Sequence, residues 1–173
     1  QNDRVVIGST DPKFYGGFST DLSYKGITLN AVFNYSYGAK KLSPYYESLI
    51  TSRGTGVASV DLVDRWSPEN TDAKFPRPIY NDPTDTETMY YNTFSASQMD
   101  FSVQNASYLR LSTLSLAYTF PKTIVEKMKI GNLRVYSTIS NVFCWTSYKG
   151  YDPETGDWYP PTRMFVFGLS VSL

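Results

Sequence analysis

The chain has no histidine, one cysteine and no net charge. It also has no long apolar run. Each of these absences closes a class of function. Without histidine, the usual general base and the commonest metal ligand are missing. Cys144 has no second thiol for an internal disulfide or a thiolate metal site, so it reads as a small packing residue. Lys and Arg number 16, as do Asp and Glu, and a neutral chain offers no basic footprint for nucleic acid. No window approaches about 18 consecutive apolar residues, so no transmembrane helix is expected. No secretory leader opens the chain, and Gln1-Asn2-Asp3-Arg4 reads as mid-chain sequence, so further chain is expected upstream.

What is present is aromatic: 16% of the 173 residues, with 15 Tyr, 10 Phe and 3 Trp. Such a content suits a membrane barrel with aromatic girdles at both interfaces. A two-residue period runs to the end of the chain. Phe165, Phe167, Leu169, Val171 and Leu173 share one face of an extended strand, and Met164, Val166, Gly168, Ser170 and Ser172 share the other. The same alternation fills 14–25, where Phe14, Phe18, Leu22 and Tyr24 oppose Tyr15, Ser19, Asp21 and Ser23. It fills 27–38, where Ile27, Leu29, Phe33 and Tyr35 oppose Thr28, Asn30, Asn34 and Ser36. Lys25-Gly26 joins these two into a hairpin.

Further strands are expected at 108–120 and 133–143. In the first, Leu114, Leu116, Tyr118 and Phe120 share a face, while Leu109 and Leu111 fall on the opposite one. That half is expected to leave the membrane and pack against protein. Pro121 ends the strand, and Ile124 to Met128 suggests one helical turn. Residues 39–107 are rich in Pro, Asn, Asp, Ser and Thr without a helical period, and 145–163 is polar and aromatic. A structureless stretch as long as the first is foreign to a compact soluble domain, whereas barrels carry such loops outside the cell.

Five antiparallel strands with the C-terminus in the periplasm put both long loops outside and both short turns inside, as bacterial barrels do. The expected class is therefore all-β: a transmembrane antiparallel β-barrel of which this chain supplies five strands. Bacterial barrels have even strand counts from about eight upward, so five cannot close one.

Several stretches carry a resemblance. They are Asp3-Arg4-Val5-Val6-Ile7-Gly8, Pro12-Lys13-Phe14-Tyr15-Gly16-Gly17-Phe18, Leu22-Ser23-Tyr24-Lys25-Gly26, Tyr35-Ser36-Tyr37-Gly38, Asp64-Arg65-Trp66-Ser67-Pro68-Glu69-Asn70 and Pro76-Arg77. They continue with Ala106-Ser107-Tyr108-Leu109-Arg110-Leu111, Leu116-Ala117-Tyr118-Thr119-Phe120-Pro121, Leu133-Arg134-Val135-Tyr136, Ser140-Asn141-Val142-Phe143-Cys144-Trp145-Thr146, Gly150-Tyr151-Asp152-Pro153-Glu154 and Arg163-Met164-Phe165-Val166-Phe167-Gly168-Leu169. In order and spacing these resemble the C-terminal end of the SusC/RagA family of TonB-dependent outer-membrane transporters, known from Bacteroidetes. One departure is Leu173, where family members usually end in Phe. The resemblance implies a barrel of about 22 strands with a plugged lumen. It implies import of a large nutrient, an oligosaccharide or oligopeptide, driven by TonB and assisted by a SusD-like surface lipoprotein. Transporter–lipoprotein pairs arranged as a dimer are the expected assembly. The plug and the TonB-contacting segment are not in this sequence.

The loop aromatics Trp145, Tyr148, Tyr151, Trp158 and Tyr159 are the candidate contacts to substrate or lid lipoprotein, because flat rings beside polar groups stack on sugars or hold peptide side chains. The competing reading makes them outer-girdle or loop-packing residues. Arg110 and Arg134 would tune the polarity of lumen or loop surfaces, or serve as solvated structural residues. Asp152-Pro153-Glu154-Thr155-Gly156-Asp157 lacks the spaced ligands of a calcium loop and reads as an external turn. Asn105-Ala106-Ser107 matches a glycosylation sequon by chance. Asp61, Asp64 and Glu69 have no base or nucleophile partner in view. No catalytic residue, cofactor or metal site is expected. The alternatives are an outer-membrane barrel enzyme and a secreted glycan-binding β-sandwich.

Overall fold

The computed structural model describes residues 5–50, 57–75, 100–156 and 159–172. Two units emerge. One comprises Pro12–Tyr37, Ser107–Thr146 and Pro161–Leu173; the other comprises Gln1–Asp11, Gly38–Ala106 and Ser147–Pro160.

The first unit is a five-stranded antiparallel sheet. Strands β1 (Phe14–Tyr24) and β2 (Ile27–Tyr37) form a hairpin, and both turn residues have positive φ, 46° at Lys25 and 87° at Gly26. That is the type I′ geometry whose twist matches the strands it joins. A side chain at Gly26 would stand 2.6 Å from the carbonyl oxygen of Thr119, while the Gly26 carbonyl accepts the Thr119 N–H at 2.8 Å. The turn is thus fastened to the third strand of the sheet.

The β2 connection passes through the second unit. There β3 (Lys40–Leu42) pairs with β4 (Val103–Asn105), and helix α1 spans Pro44–Ile50. The chain re-enters the sheet as β5 (Tyr108–Thr119). A short helix α2 (Lys122–Val125) and a 3-10 turn (Glu126–Met128) then lead into β6 (Asn132–Thr146). The final strand is β7 (Met164–Ser172), and the sheet order is β1-β2-β5-β6-β7. The sheet is a meander. Its two short connections lie at one end, and the β2–β5 and β6–β7 connections leave the other. Strands of 9 to 15 residues are long enough to cross a bilayer at the usual tilt.

Three expectations are corrected. Leu109 and Leu111 do not face away from Leu114 and Leu116. Val32 pairs with Thr113 and Phe33 with Leu111, so Ser112 is an extra residue on β5. A bulge resets the alternation and puts all four leucines on one face. The Ser112 hydroxyl accepts a hydrogen bond from Asn34 Nδ2 at 2.9 Å. Strand β6 answers with Asn141, whose φ of 53° lies where the register between Leu111–Phe143 and Thr113–Ser140 shifts. Second, β6 runs beyond residue 143 through Thr146, which takes Trp145 out of the loop and into the sheet. Third, the described part of 39–107 is not structureless: Ser43 caps α1 by accepting the Tyr46 N–H at 3.0 Å, with Pro44 at the first helical position.

The two units differ in where a core forms. The second has two small buried clusters, Tyr46, Ile50 and Phe75 packed with Leu62 and Phe101, and Ala39, Ala106 and Tyr148, although Val57, Val60 and Val63 stay exposed. The sheet displays its apolar residues, with Phe167 77% and Leu169 63% exposed. A contiguous exposed apolar face marks contact with a non-aqueous partner. Among the described residues no helix is long and apolar enough to cross a membrane.

Candidate functional site

Register divides the sheet into an apolar and a polar face. The apolar face carries Leu22–Leu29–Leu116–Ser137–Phe167 as one rung, and Tyr24–Ile27–Tyr118–Val135–Leu169 as the next. Towards the long-connection end, Phe18 stacks on Phe33 at 4.7 Å and Phe14 on Tyr37 at 5.0 Å. The opposite face carries Asp21–Asn30–Ser115–Thr138. Its side chains bond to one another: Asn30 Nδ2 donates to Asp21 at 2.8 Å, and the Ser115 and Thr138 hydroxyls lie 2.9 Å apart. Arg110 stands on this face with its guanidinium 5.5 Å from the centre of the Tyr108 ring, opposite half-buried Cys144. Arg134 is exposed on the same face, opposite Thr119.

The five candidate aromatics part company. Trp145 pairs with Leu109 on the apolar face and packs edge-on against Phe143 at 4.7 Å, which is a girdle position. Tyr148 is 6% exposed, packs with Ala39 and Ala106, and donates its hydroxyl to the Leu42 carbonyl at 3.1 Å. It holds the loop unit together and presents no surface. Trp158 lies outside the described residues. Tyr159 is exposed. Tyr151 is exposed and stacked on Tyr45 at 4.5 Å with 29° between the rings. Tyr45 escaped the sequence reading; its signal was the Tyr45-Tyr46 doublet behind the Ser43-Pro44 helix start.

Beside this pair sits a polar node. Asp61 Oδ2 accepts from Lys149 Nζ at 2.5 Å, Tyr46 Oη at 2.7 Å and Ser59 Oγ at 3.0 Å. The Lys149 ammonium, and then the Tyr46 hydroxyl, hold the Asp61 carboxyl down at about 2. Burial, with the Asp61 carboxylate as acceptor, raises the Tyr46 phenol well above its ordinary value. Lys149 also lies over the Tyr46 ring at 5.3 Å, and its N–H donates to Gln104 Oε1 at 2.9 Å.

Asp64 is engaged elsewhere, accepting from Asn70 Nδ2 at 3.2 Å. One oxygen of Asp152 accepts the N–H groups of Glu154 and Thr155, both at 2.9 Å, which is an Asx turn. Lys41 Nζ closes over that turn by donating to the carbonyls of Pro153 and Glu154 at 2.7 and 2.9 Å. Among the described residues no group of three His, Cys, Asp or Glu side chains could hold a metal ion. The arrangement can stack flat groups and exchange hydrogen bonds.

Comparison with known proteins fits this description. No protein-family model matches the chain. TonB-dependent receptor P3 of Formosa agariphila is 31% identical over 98% of the chain, and TonB-dependent receptor SusC of Bacteroides thetaiotaomicron is 39% identical over 42% of it. A solved RagAB peptide importer in its open-open state superposes with a TM-score of 0.70 at 30% identity over 96% of the chain. The chain spans 17% of the length of receptor P3 and 18% of that importer chain. All three are receptors or importers. The order of the motifs, the two-faced antiparallel sheet and these matches together place the chain in the SusC/RagA family of TonB-dependent receptors, as one stretch of their barrel.

Proposed function

We propose that the chain is part of the wall and outer mouth of an outer-membrane importer that takes up a large nutrient, an oligopeptide or oligosaccharide, by TonB-driven transport. The carrying observation is the division of one sheet into an exposed apolar face and a hydrogen-bonded polar face, with both long connections at the same end. In this reading the apolar face meets lipid, the polar face borders the lumen, and β1 and β7 pair with further strands of the barrel. The short connections lie in the periplasm and the loop unit outside.

The remaining parts are the plug, TonB acting through it, and a SusD-like lipoprotein seated on the outer loops. Two transporter–lipoprotein pairs form a dimer. The RagAB relatives are peptide importers, which supports the peptide arm. Tyr45 and Tyr151 are the loop aromatics on offer to substrate or lid, together with the exposed Tyr159.

The test is to purify the full-length receptor from outer membranes and identify co-purifying protein and ligand by mass spectrometry. A surface lipoprotein together with bound oligopeptides or glycans is expected. Recovery in the soluble fraction, without detergent, overturns the reading.

A further inference from the structure

We infer that the short-connection end of the sheet holds an anionic phospholipid, with an acyl chain in a groove of the apolar face and the phosphate among lysines at the rim. The inference rests on the membrane-barrel reading above. On the rung Leu116–Ser137–Phe167, a small side chain stands between two large ones. The gap over Ser137 opens a groove of about 490 Å³ with an almost wholly apolar lining, walled by Ile27, Leu116, Tyr118, Val135 and Phe167. Its size falls in the range of small-molecule sites, roughly 300–1,000 Å³. A flat wall against bulk lipid needs no such recess.

The rim next to it is cationic. Tyr24 occupies the rung at the turn, on the apolar face, and the ammonium of Lys25 lies 5.1 Å from its ring centre. That contact draws the charge to the membrane side. The β5–β6 connection, at the same end, adds the exposed side chains of Lys122, Lys127 and Lys129, against the single acid Glu126. Val125, 1% exposed, anchors this connection, and the Ile130 N–H returns to the Val125 carbonyl at 3.2 Å. The lysines are therefore carried by an ordered turn. Arg134, on the polar face, does not take part. Lysines grouped where an apolar face meets water complement anionic headgroups, and the neighbouring groove complements one acyl chain. Charge and groove together single out an anionic lipid over a zwitterionic one.

The experiment uses the full-length receptor in nanodiscs of phosphatidylcholine with a minority of phosphatidylglycerol. Retained lipids are read by native mass spectrometry, and heat-modifiable migration reports barrel integrity. Phosphatidylglycerol is expected to be enriched on the receptor. The combined Lys25→Gln, Lys122→Gln, Lys127→Gln and Lys129→Gln variant should lower that enrichment by at least about tenfold. Ser137→Leu, which fills the groove and leaves the lysines, should lower total lipid retention. Unenriched phosphatidylglycerol on the parent, or unchanged retention in either variant with an intact barrel, overturns the inference. A receptor that never forms a heat-modifiable barrel instead sinks the membrane reading, so the two failures are distinguishable.

Discussion

The ring of Tyr136 lies across Gly168, its cross-strand partner on β7, so closely that a β-carbon at Gly168 would stand 2.1 Å from the ring's Cζ. The glycine leaves the ladder a gap and the tyrosine fills it from the neighbouring strand. Register between β6 and β7 is therefore marked by shape as well as by alternation. Gly168→Ala should cost about 1 kcal/mol, the low end of overpacking, because the end of the 40% exposed Tyr136 side chain can swing outward. In a Tyr136→Ala background most of that cost should vanish, because the two residues are in contact. Unfolding temperatures of the four full-length receptors in detergent, read by heat-modifiable migration, measure the coupling. Additive effects would mean the ring does not rest on Gly168.

Ser112 should be dispensable to the register of β5 on β2. Ser112→Ala loses one hydrogen bond from Asn34, worth about 1 kcal/mol. Deleting Ser112 joins Leu111 to Thr113, which already occupy neighbouring positions against Phe33 and Val32, so the pleat becomes regular and Leu109 and Leu111 keep the apolar face. Outer-membrane fractions should contain folded receptor for both variants; loss of folded receptor in the deletion alone would contradict the bulge assignment.

The Asp61 node sets a pH dependence for the loop unit. Its carboxyl is held at about 2, below its ordinary value near 4. A lowered carboxyl stabilises the folded form fully above the unfolded value, and the contribution fades as pH falls from about 4 towards 2. Because the Lys149 side chain is 48% exposed, solvent screens the pair and its worth stays within about 1 kcal/mol. Lys149→Met should move the Asp61 midpoint upward, and Tyr46→Phe should do so less. Carboxyl chemical shifts of labelled full-length receptor across this range give the midpoints. An unmoved midpoint in Lys149→Met argues against the ion pair.

Tyr148 and Tyr151 should behave as opposites, although three residues apart. Tyr148→Ala empties a buried site and should loosen the loop unit by about 3–5 kcal/mol, seen as faster limited proteolysis. Tyr151→Ala, or Tyr45→Ala, should leave protease resistance unchanged and weaken ligand or lipoprotein binding several-fold. Should Tyr151→Ala bind as the parent does, the stacked pair has no role in recognition.

How much of this was legible depended on what kind of signal each residue carried. The two-residue period of Phe165 to Val171, and the breaks at Lys25-Gly26 and Pro121, are local properties and can be read directly. Leu109 and Leu111 were misplaced because alternation alone assumes an unbroken pleat. The step in parity between Leu111 and Leu114 was visible, yet a bulge and a change of environment leave the same trace. Trp145 was placed in a loop because an aromatic at a strand end looks like one in a loop; its pairing with Leu109 depends on chain that is distant in sequence. Tyr45 and Lys149 were missed for the same reason. Their partners, Tyr151 and Asp61, lie far along the chain, and no spacing rule connects them.

β7 starts at Met164, yet β6 continues for six residues past Ser140. The guanidinium of Arg163 donates to the carbonyls of Asn141 and Val142 at 3.4 and 2.7 Å, and Asn141 Nδ2 donates to the Thr162 carbonyl at 2.8 Å. A side chain thus stands in for the strand that is no longer there. The bare margin of β6 is blunted against templated growth by a foreign strand, the hazard of any unpaired edge.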